Sequence, residues 1–306
     1  MTLLSITTDY CNSLGNGRDY LRLISEAGFT HVHWCQHFAD DYIYSSSEIA
    51  AIKGWLHDYG LRLLDLHGSH GTEKHWWALE EYERQAGVEL VVNRTRMFRE
   101  LEGEGCLIMH PCCFQSHAPD DAQGTARDEL IKRQYTQLLK SIEELEPVLR
   151  RENVRLACEN FGGDTYWILD DLLQRFPPGI LGLTYDSGHG NLLTSPAFTK
   201  QLDQIAKRTE RLYALHLNDN NEYLDQHQPP YYGTVDWDRL LRIIAKAPHV
   251  AQKPLQFEIT MRCTPYTYFT NPSAPPEDAQ RAYLKDAYVR CMKIAQHYEY
   301  LTRINK

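Results

Sequence analysis

Short apolar segments alternate with longer helical stretches about eight times along the 306-residue chain, and no glycine-rich nucleotide-binding turn follows an early segment. These two observations predict an α/β protein with a parallel sheet, closed as a single (β/α)8 barrel that forms one domain over residues 1–306. The length is consistent, being somewhat above the ~250 residues usual for that barrel. An open doubly wound sheet is the alternative. It would need a G-x-G-x-x-G or Walker-type turn, and Gly15-Asn16-Gly17 and Gly68-Ser69-His70-Gly71 match neither. No nucleotide cofactor is expected.

The strands are expected at 4–8, 30–34, 62–67, 106–110, 155–159, 181–186, 211–216 and 254–258. The first helix, 19–28, ends at Gly28, the residue type favoured just past a helix C-terminus. The second, 47–59, follows a serine run able to cap it. Another lies near 86–101. Helix 129–149 sets Ile131, Tyr135, Leu138, Leu139, Ile142, Leu145 and Leu149 on one stripe at spacings of three and four. Helices at 170–176, 198–208, 237–247 and 277–298 complete the set.

Composition narrows the class. The chain is 42% apolar and 24% charged, within the ordinary globular range, with a formal net charge of -9. No apolar run approaches the ~18 residues that cross a bilayer, and MTLLSITTDY lacks the basic and apolar regions of a signal peptide. Eight cysteines are scattered without a CxxC pair, and Cys112 and Cys113 are adjacent. Reduced thiols and a cytoplasmic location are the expectation. The acidic balance argues against a nucleic-acid partner, because phosphate backbones are gripped by Lys and Arg. A homo-oligomer is compatible with the sequence.

The chemistry lies in how the strands end. The third ends at His67, the fourth at His110, the fifth at Glu159, the sixth at Asp186 with His189 three residues on, the seventh at His216 and the eighth at Glu258. In a closed barrel these ends converge on one mouth, where active sites sit. Carboxylates brought together there repel one another unless a cation neutralises them. Mixed imidazole and carboxylate donors suit Zn²⁺, Mn²⁺, Fe²⁺ or Co²⁺ better than Mg²⁺ or Ca²⁺. Beyond the seventh strand, Asp225 and His227 are two apart, so an extended segment points both the same way. With His189 they form a candidate second metal site.

These motifs resemble the xylose isomerase-like TIM barrel superfamily, which includes sugar isomerases and epimerases and endonuclease IV. The most specific stretches are YDSGHGN (185–191), LHLNDNNEYLDQHQPPYYGTVDW (215–237) and the strand ends HG, HP, EN and FE. The resemblance implies that Glu159, Asp186, His216 and Glu258 hold a catalytic divalent metal, as in the sugar branch. It also implies that His67, His110, Glu159, Asp186, His189, His216, Asp225, His227 and Glu258 match the ligands of three zinc ions in the endonuclease branch.

The loops at 35–47 and 68–77 favour a small carbohydrate over DNA. They carry Asp40 and Asp41 but only one cation, Lys74. Trp76-Trp77, Tyr231-Tyr232, Tyr266, Tyr268 and Phe269 offer flat faces to a sugar. The expected reaction is isomerisation or epimerisation by proton transfer next to a carbonyl. Glu159 and Glu258 are the candidate proton carriers, and His189, His67, Trp76 and Arg262 are candidates for holding the substrate. Hydrolysis of abasic DNA by a trinuclear zinc centre is the alternative, and a dehydroshikimate dehydratase-like lyase a further one.

Overall fold

The computed structural model describes residues 3–11, 17–111, 125–160, 166–192, 201–251, 253–261 and 275–304. Eight parallel strands form its centre: β1 (Leu4–Thr7), β2 (His31–Trp34), β3 (Arg62–His67), β4 (Leu107–Met109), β5 (Leu156–Glu159), β6 (Leu181–Asp186), β7 (Leu212–His216) and β8 (Leu255–Phe257). Their order in the sheet is β7-β6-β5-β4-β3-β2-β1-β8. The ends meet where Leu217 pairs with Phe257 in a parallel bridge, and the Leu217 amide donates to the Gln256 carbonyl at 3.0 Å. The predicted (β/α)8 barrel is therefore the observed fold.

Strand alternation explains why it closes. Leu4, Ile6, Val32, Trp34, Leu107, Met109, Leu156, Cys158, Leu255 and Phe257 belong to the main core, packed beneath the surrounding helices. Their neighbours in sequence point the other way. Ile108, Ala157 and Ala214 join a small second cluster. Ser5, Thr7, His31, His33 and Gln256 are buried on the same inner side. The inside of this barrel is thus unusually polar, and its polarity grows toward the strand C-termini.

The helices are α1 (Gly17–Ala27), α2 (Ser46–Asp58), α3 (Glu81–Glu100), α4 (Thr125–Glu152), α5 (Tyr166–Arg175), α6 (Ser187–Asn191), α7 (Gln201–Ala206), α8 (Trp237–Ile244) and α9 (Glu277–Ile304). Helix α1 stops before Gly28, whose φ of 105° is open to glycine at little cost. Ser45 caps α2 in a capping box. Its hydroxyl accepts from the Glu48 amide at 3.3 Å, and Glu48 accepts from the Ser45 amide at 2.8 Å.

Two differences from the sequence expectation matter. Helix α3 begins five residues before 86, because the Glu81 and Glu83 side chains of its first turn suit a helix N-terminus. The one-turn helix α6 was not expected. It sits directly after β6 and carries His189. No helix among the described residues is long and apolar enough to cross a membrane.

Candidate metal centre

The strand C-termini surround a cavity of about 250 Å³. Asp9, Phe38, His67, His110, Glu159, His189, Asp225, Gln226, His227, Glu258 and Thr260 line it. His110 and Glu258 lie one residue beyond the last ladder residue of β4 and β8. His67, His110, Glu159 and Glu258 line the cavity, while Asp186 and His216 are buried beside Glu159 and Glu258 in one donor set, so the six strand ends converge as expected of a barrel.

Four donor sets result among the described residues. His33, His216 and Glu258 make one, buried in the barrel; the other three carry the strand-end and loop donors. Glu159, Asp186, His216 and Glu258 form one, His67, His110 and Glu159 a second, and His189, Asp225 and His227 a third. Within each set the donor atoms lie within 4.8 Å of one another, so each could hold a metal ion. Glu159 is common to two of them. His216 Nδ1 sits between two carboxylates, 3.1 Å from Glu159 Oε1 and 2.9 Å from Glu258 Oε2. His110 Nε2 lies 3.3 Å from Glu159 Oε2. In the third set, Asp225 Oδ2 is 3.3 Å from His189 Nε2 and 3.1 Å from His227 Nε2.

Backbone and amide groups aim these side chains. Asp186 caps α6, accepting from the His189 amide at 2.6 Å. Its other oxygen accepts from Asn218 Nδ2 at 2.7 Å. A Cβ at Gly188 would fall 1.9 Å from Asn218 Oδ1, so the glycine of the S-G-H sequence admits that amide. His189 Nδ1 donates to the Asn160 carbonyl at 2.9 Å, which turns Nε2 toward the cavity. His67 Nδ1 likewise donates to the Gly68 carbonyl at 2.9 Å. His227 adopts a left-handed backbone, φ 48°, uncommon for a non-glycine residue, while its carbonyl accepts from the Thr260 amide at 2.8 Å.

Replacing Asn218 by Leu should leave a buried Asp186 oxygen without its donor. The expected loss is about 1–3 kcal/mol of unfolding free energy, read from urea denaturation. A variant as stable as the parent would show that this hydrogen bond contributes nothing.

The electrostatics follow from three buried carboxylates, Glu159, Asp186 and Glu258, with Asp225 at the exposed rim. Burial opposes ionisation of Glu159, but His216 overcomes it and holds the carboxyl well below its usual range. Burial also presses His216 toward neutrality, yet Glu159 and Glu258 hold it well above its ordinary value. The same contest, against Asp225, carries His227 up to about 10. Burial raises Asp186 to about 6 and depresses His67, beside His110, to about 4.

A family model described as xylose isomerase-like TIM barrel matches residues 21–250. The chain belongs to the xylose isomerase-like TIM barrel family. It is 28% identical over 266 residues to the uncharacterised protein y4fM of Sinorhizobium fredii, covering 80% of this chain and 81% of that one. Its fold is similar to that of a D-tagatose 3-epimerase-like protein, with a TM-score of 0.70 at 14% identity, covering 100% of this chain and 99% of the other. It is equally similar to D-psicose 3-epimerase from Clostridium cellulolyticum H10, solved with D-tagatose, with a TM-score of 0.70 at 13% identity and 99% of each chain covered. At these identities the structures establish a shared fold.

Within this xylose isomerase-like barrel, the other candidate residues are distributed as follows. Trp76 and Trp77 are fully buried behind the mouth, and the Trp76 indole donates to the His110 carbonyl at 3.2 Å. Trp76 thereby positions His110 and does not line the cavity. Tyr232 stacks under Arg290, 3.8 Å from the ring centre. Arg262, Tyr266, Tyr268 and Phe269 lie outside the described residues. Sequence reasoning missed Asp9, Phe38, Gln226 and Thr260 in the lining, and His33 beneath it. Asp9 was findable, because it follows β1 as His189 and Asp225 follow their strands. Phe38 was not, because nothing in a loop sequence shows that its ring packs 4.6 Å from that of His67.

Proposed function

We propose that this chain is a metal-dependent isomerase or epimerase of a sugar, sugar phosphate or sugar acid, acting by proton transfer next to a carbonyl. The observation that carries this reading is the pair Glu159 and Glu258, which reach one buried donor set from β5 and from just beyond β8, on either side of His216. The 250 Å³ cavity, at or below the low end of the ~300–1,000 Å³ usual for larger ligands, suits a single sugar ring. Its lining of carboxylates, imidazoles, Gln226 and Thr260 offers hydrogen bonds to hydroxyls, and Phe38 offers an apolar face. Family membership and the 3-epimerase neighbours support the same substrate class.

Glu159, Asp186, His216 and Glu258 would hold the ion, and their chemistry favours Zn²⁺ or Mn²⁺, with Co²⁺ or Fe²⁺ also suited. When bound, it would polarise the carbonyl and its neighbouring hydroxyl. Glu258, which lines the cavity, removes the substrate proton. Glu159 takes a proton from the His189 imidazolium, whose Nδ1 lies 3.3 Å from Glu159 Oε1, and delivers it to the carbon on the opposite side. His189, braced by Asn160, binds a substrate hydroxyl, and Phe38 excludes water from one face.

Metal binding should depend on pH with a defined sign. Despite its burial, His216 is held well above its ordinary value by Glu159 and Glu258; it is protonated at neutral pH, and a metal ligand must be neutral. Binding at its donor set therefore expels a proton, and rising pH strengthens it by about tenfold per unit for each proton released. Calorimetry in buffers of different ionisation enthalpy measures the number. Binding with no proton release would contradict the geometry proposed.

The nine donors fall within three of the four donor sets, which favours one other reading, a trinuclear zinc phosphodiesterase of the endonuclease IV kind. Elemental analysis of protein prepared without chelator tests the choice, together with assays of ketose conversion and abasic-DNA cleavage. About one manganese or cobalt per chain with ketose conversion supports the isomerase. About three zinc with DNA cleavage supports the phosphodiesterase.

A further inference from the structure

His33 has no role in the reaction outlined above. It lies on β2, fully buried at 0% exposure, on the inner face of the barrel. Neither ring nitrogen has a hydrogen-bond partner among the described residues. Such a group is rare, because a buried donor or acceptor left unmet forfeits the hydrogen bonds it made in water. A neutral imidazole carries one of each.

Its neighbours indicate what it is for. The His33 ring centre is 4.6 Å from that of His216 and 5.9 Å from that of His67, and the ring stands at 61° to His216. His216 presents Nδ1 to Glu159 and Glu258, while its Nε2 is also buried and without a partner. Two adjacent imidazoles therefore hold unmet nitrogens in a space with no solvent. A histidine that binds a metal through one nitrogen donates through the other to an outer acceptor, which fixes its tautomer and orientation. The carboxylates that usually accept such a bond are on the opposite, Nδ1 side of His216.

We propose that His33 is the outer partner of His216: when a divalent ion occupies the Glu159–Asp186–His216–Glu258 donor set, His216 Nε2–H donates to a ring nitrogen of His33. The inference rests on the proposed metal site but not on the reaction carried out there. It makes His33 a positioning residue and not a direct ligand, although His33, His216 and Glu258 also present donor atoms within 4.8 Å of one another.

Two measurements test it, neither of them an activity. The first compares Zn²⁺ affinity, by competition with a chromogenic chelator, in H33L, which removes the acceptor, and H33Q, which keeps one. H33L should bind about 10- to 100-fold more weakly, the usual effect of losing such a partner, and H33Q should recover most of the loss. Equal affinities in H33L and the parent, or equal losses in both variants, overturn the proposal. The second needs no variant. In histidine-labelled parent protein loaded with cadmium, nitrogen NMR should show coupling of His216 Nδ1 to the metal and of His216 Nε2 to a His33 nitrogen across the hydrogen bond. Coupling of His33 itself to the metal would make it a direct ligand and overturn the assignment. If no metal binds to the parent at all, the metal site fails, and the role of His33 falls with it in a way the H33L comparison cannot mimic.

Discussion

Turnover of the metal-loaded Glu258→Gln variant should fall by about 10²- to 10⁴-fold, the range expected when a positioned general base is lost. Glutamine keeps the shape and one oxygen able to face the metal, but it cannot take a proton at neutral pH. Glu258 borders the cavity and is held ionised, because His216 and then His227 outweigh its burial. The expected signature is a collapse of kcat with metal still bound. Metal content of the same sample separates this result from simple loss of the ion. Turnover within a few-fold of the parent would remove Glu258 from the proton-transfer role.

The second large effect is expected for His216→Ala. His216 Nδ1 lies between Glu159 and Glu258, at 3.1 and 2.9 Å, with the side chain fully buried. Removing it leaves two buried carboxylates facing each other without the imidazolium between them. Breaking such a pair costs about 3–5 kcal/mol. Metal binding at that donor set should also disappear. Urea denaturation and elemental analysis together should record both losses. A variant that keeps full metal content and the parent's stability would place the cation elsewhere.

The barrel was legible because its two signals are local. Apolar strands such as 181–186 and helical stripes such as 129–149 each declare their period within a dozen residues, and a parallel strand–helix repeat has few ways to close. The strand-end donors were legible for a related reason. Once the fold is known, residues such as His67, Glu159 and Asp186 need only their place at a strand C-terminus to be brought together. What sequence could not show depended on three-dimensional packing. His33 sits one residue before the end of β2, and its importance comes from facing His216 across the barrel. Trp76 reads as a surface for sugar in a loop, but burial turns it into a brace for the His110 carbonyl. Helix α6 is only one turn long, too short for periodicity to reveal, and depends on Asp186 as its cap.

Hydrogen exchange at substrate carbon bears most directly on the proposed reaction. Metal-loaded protein is incubated with a panel of ketoses and their phosphates in deuterated water, and deuterium at the carbons flanking the carbonyl is followed by NMR. The account predicts metal-dependent incorporation into at least one ketose, abolished by chelator and by Glu258→Gln. No exchange into any member of the panel, with metal-dependent cleavage of abasic duplex DNA by the same preparation, would contradict it.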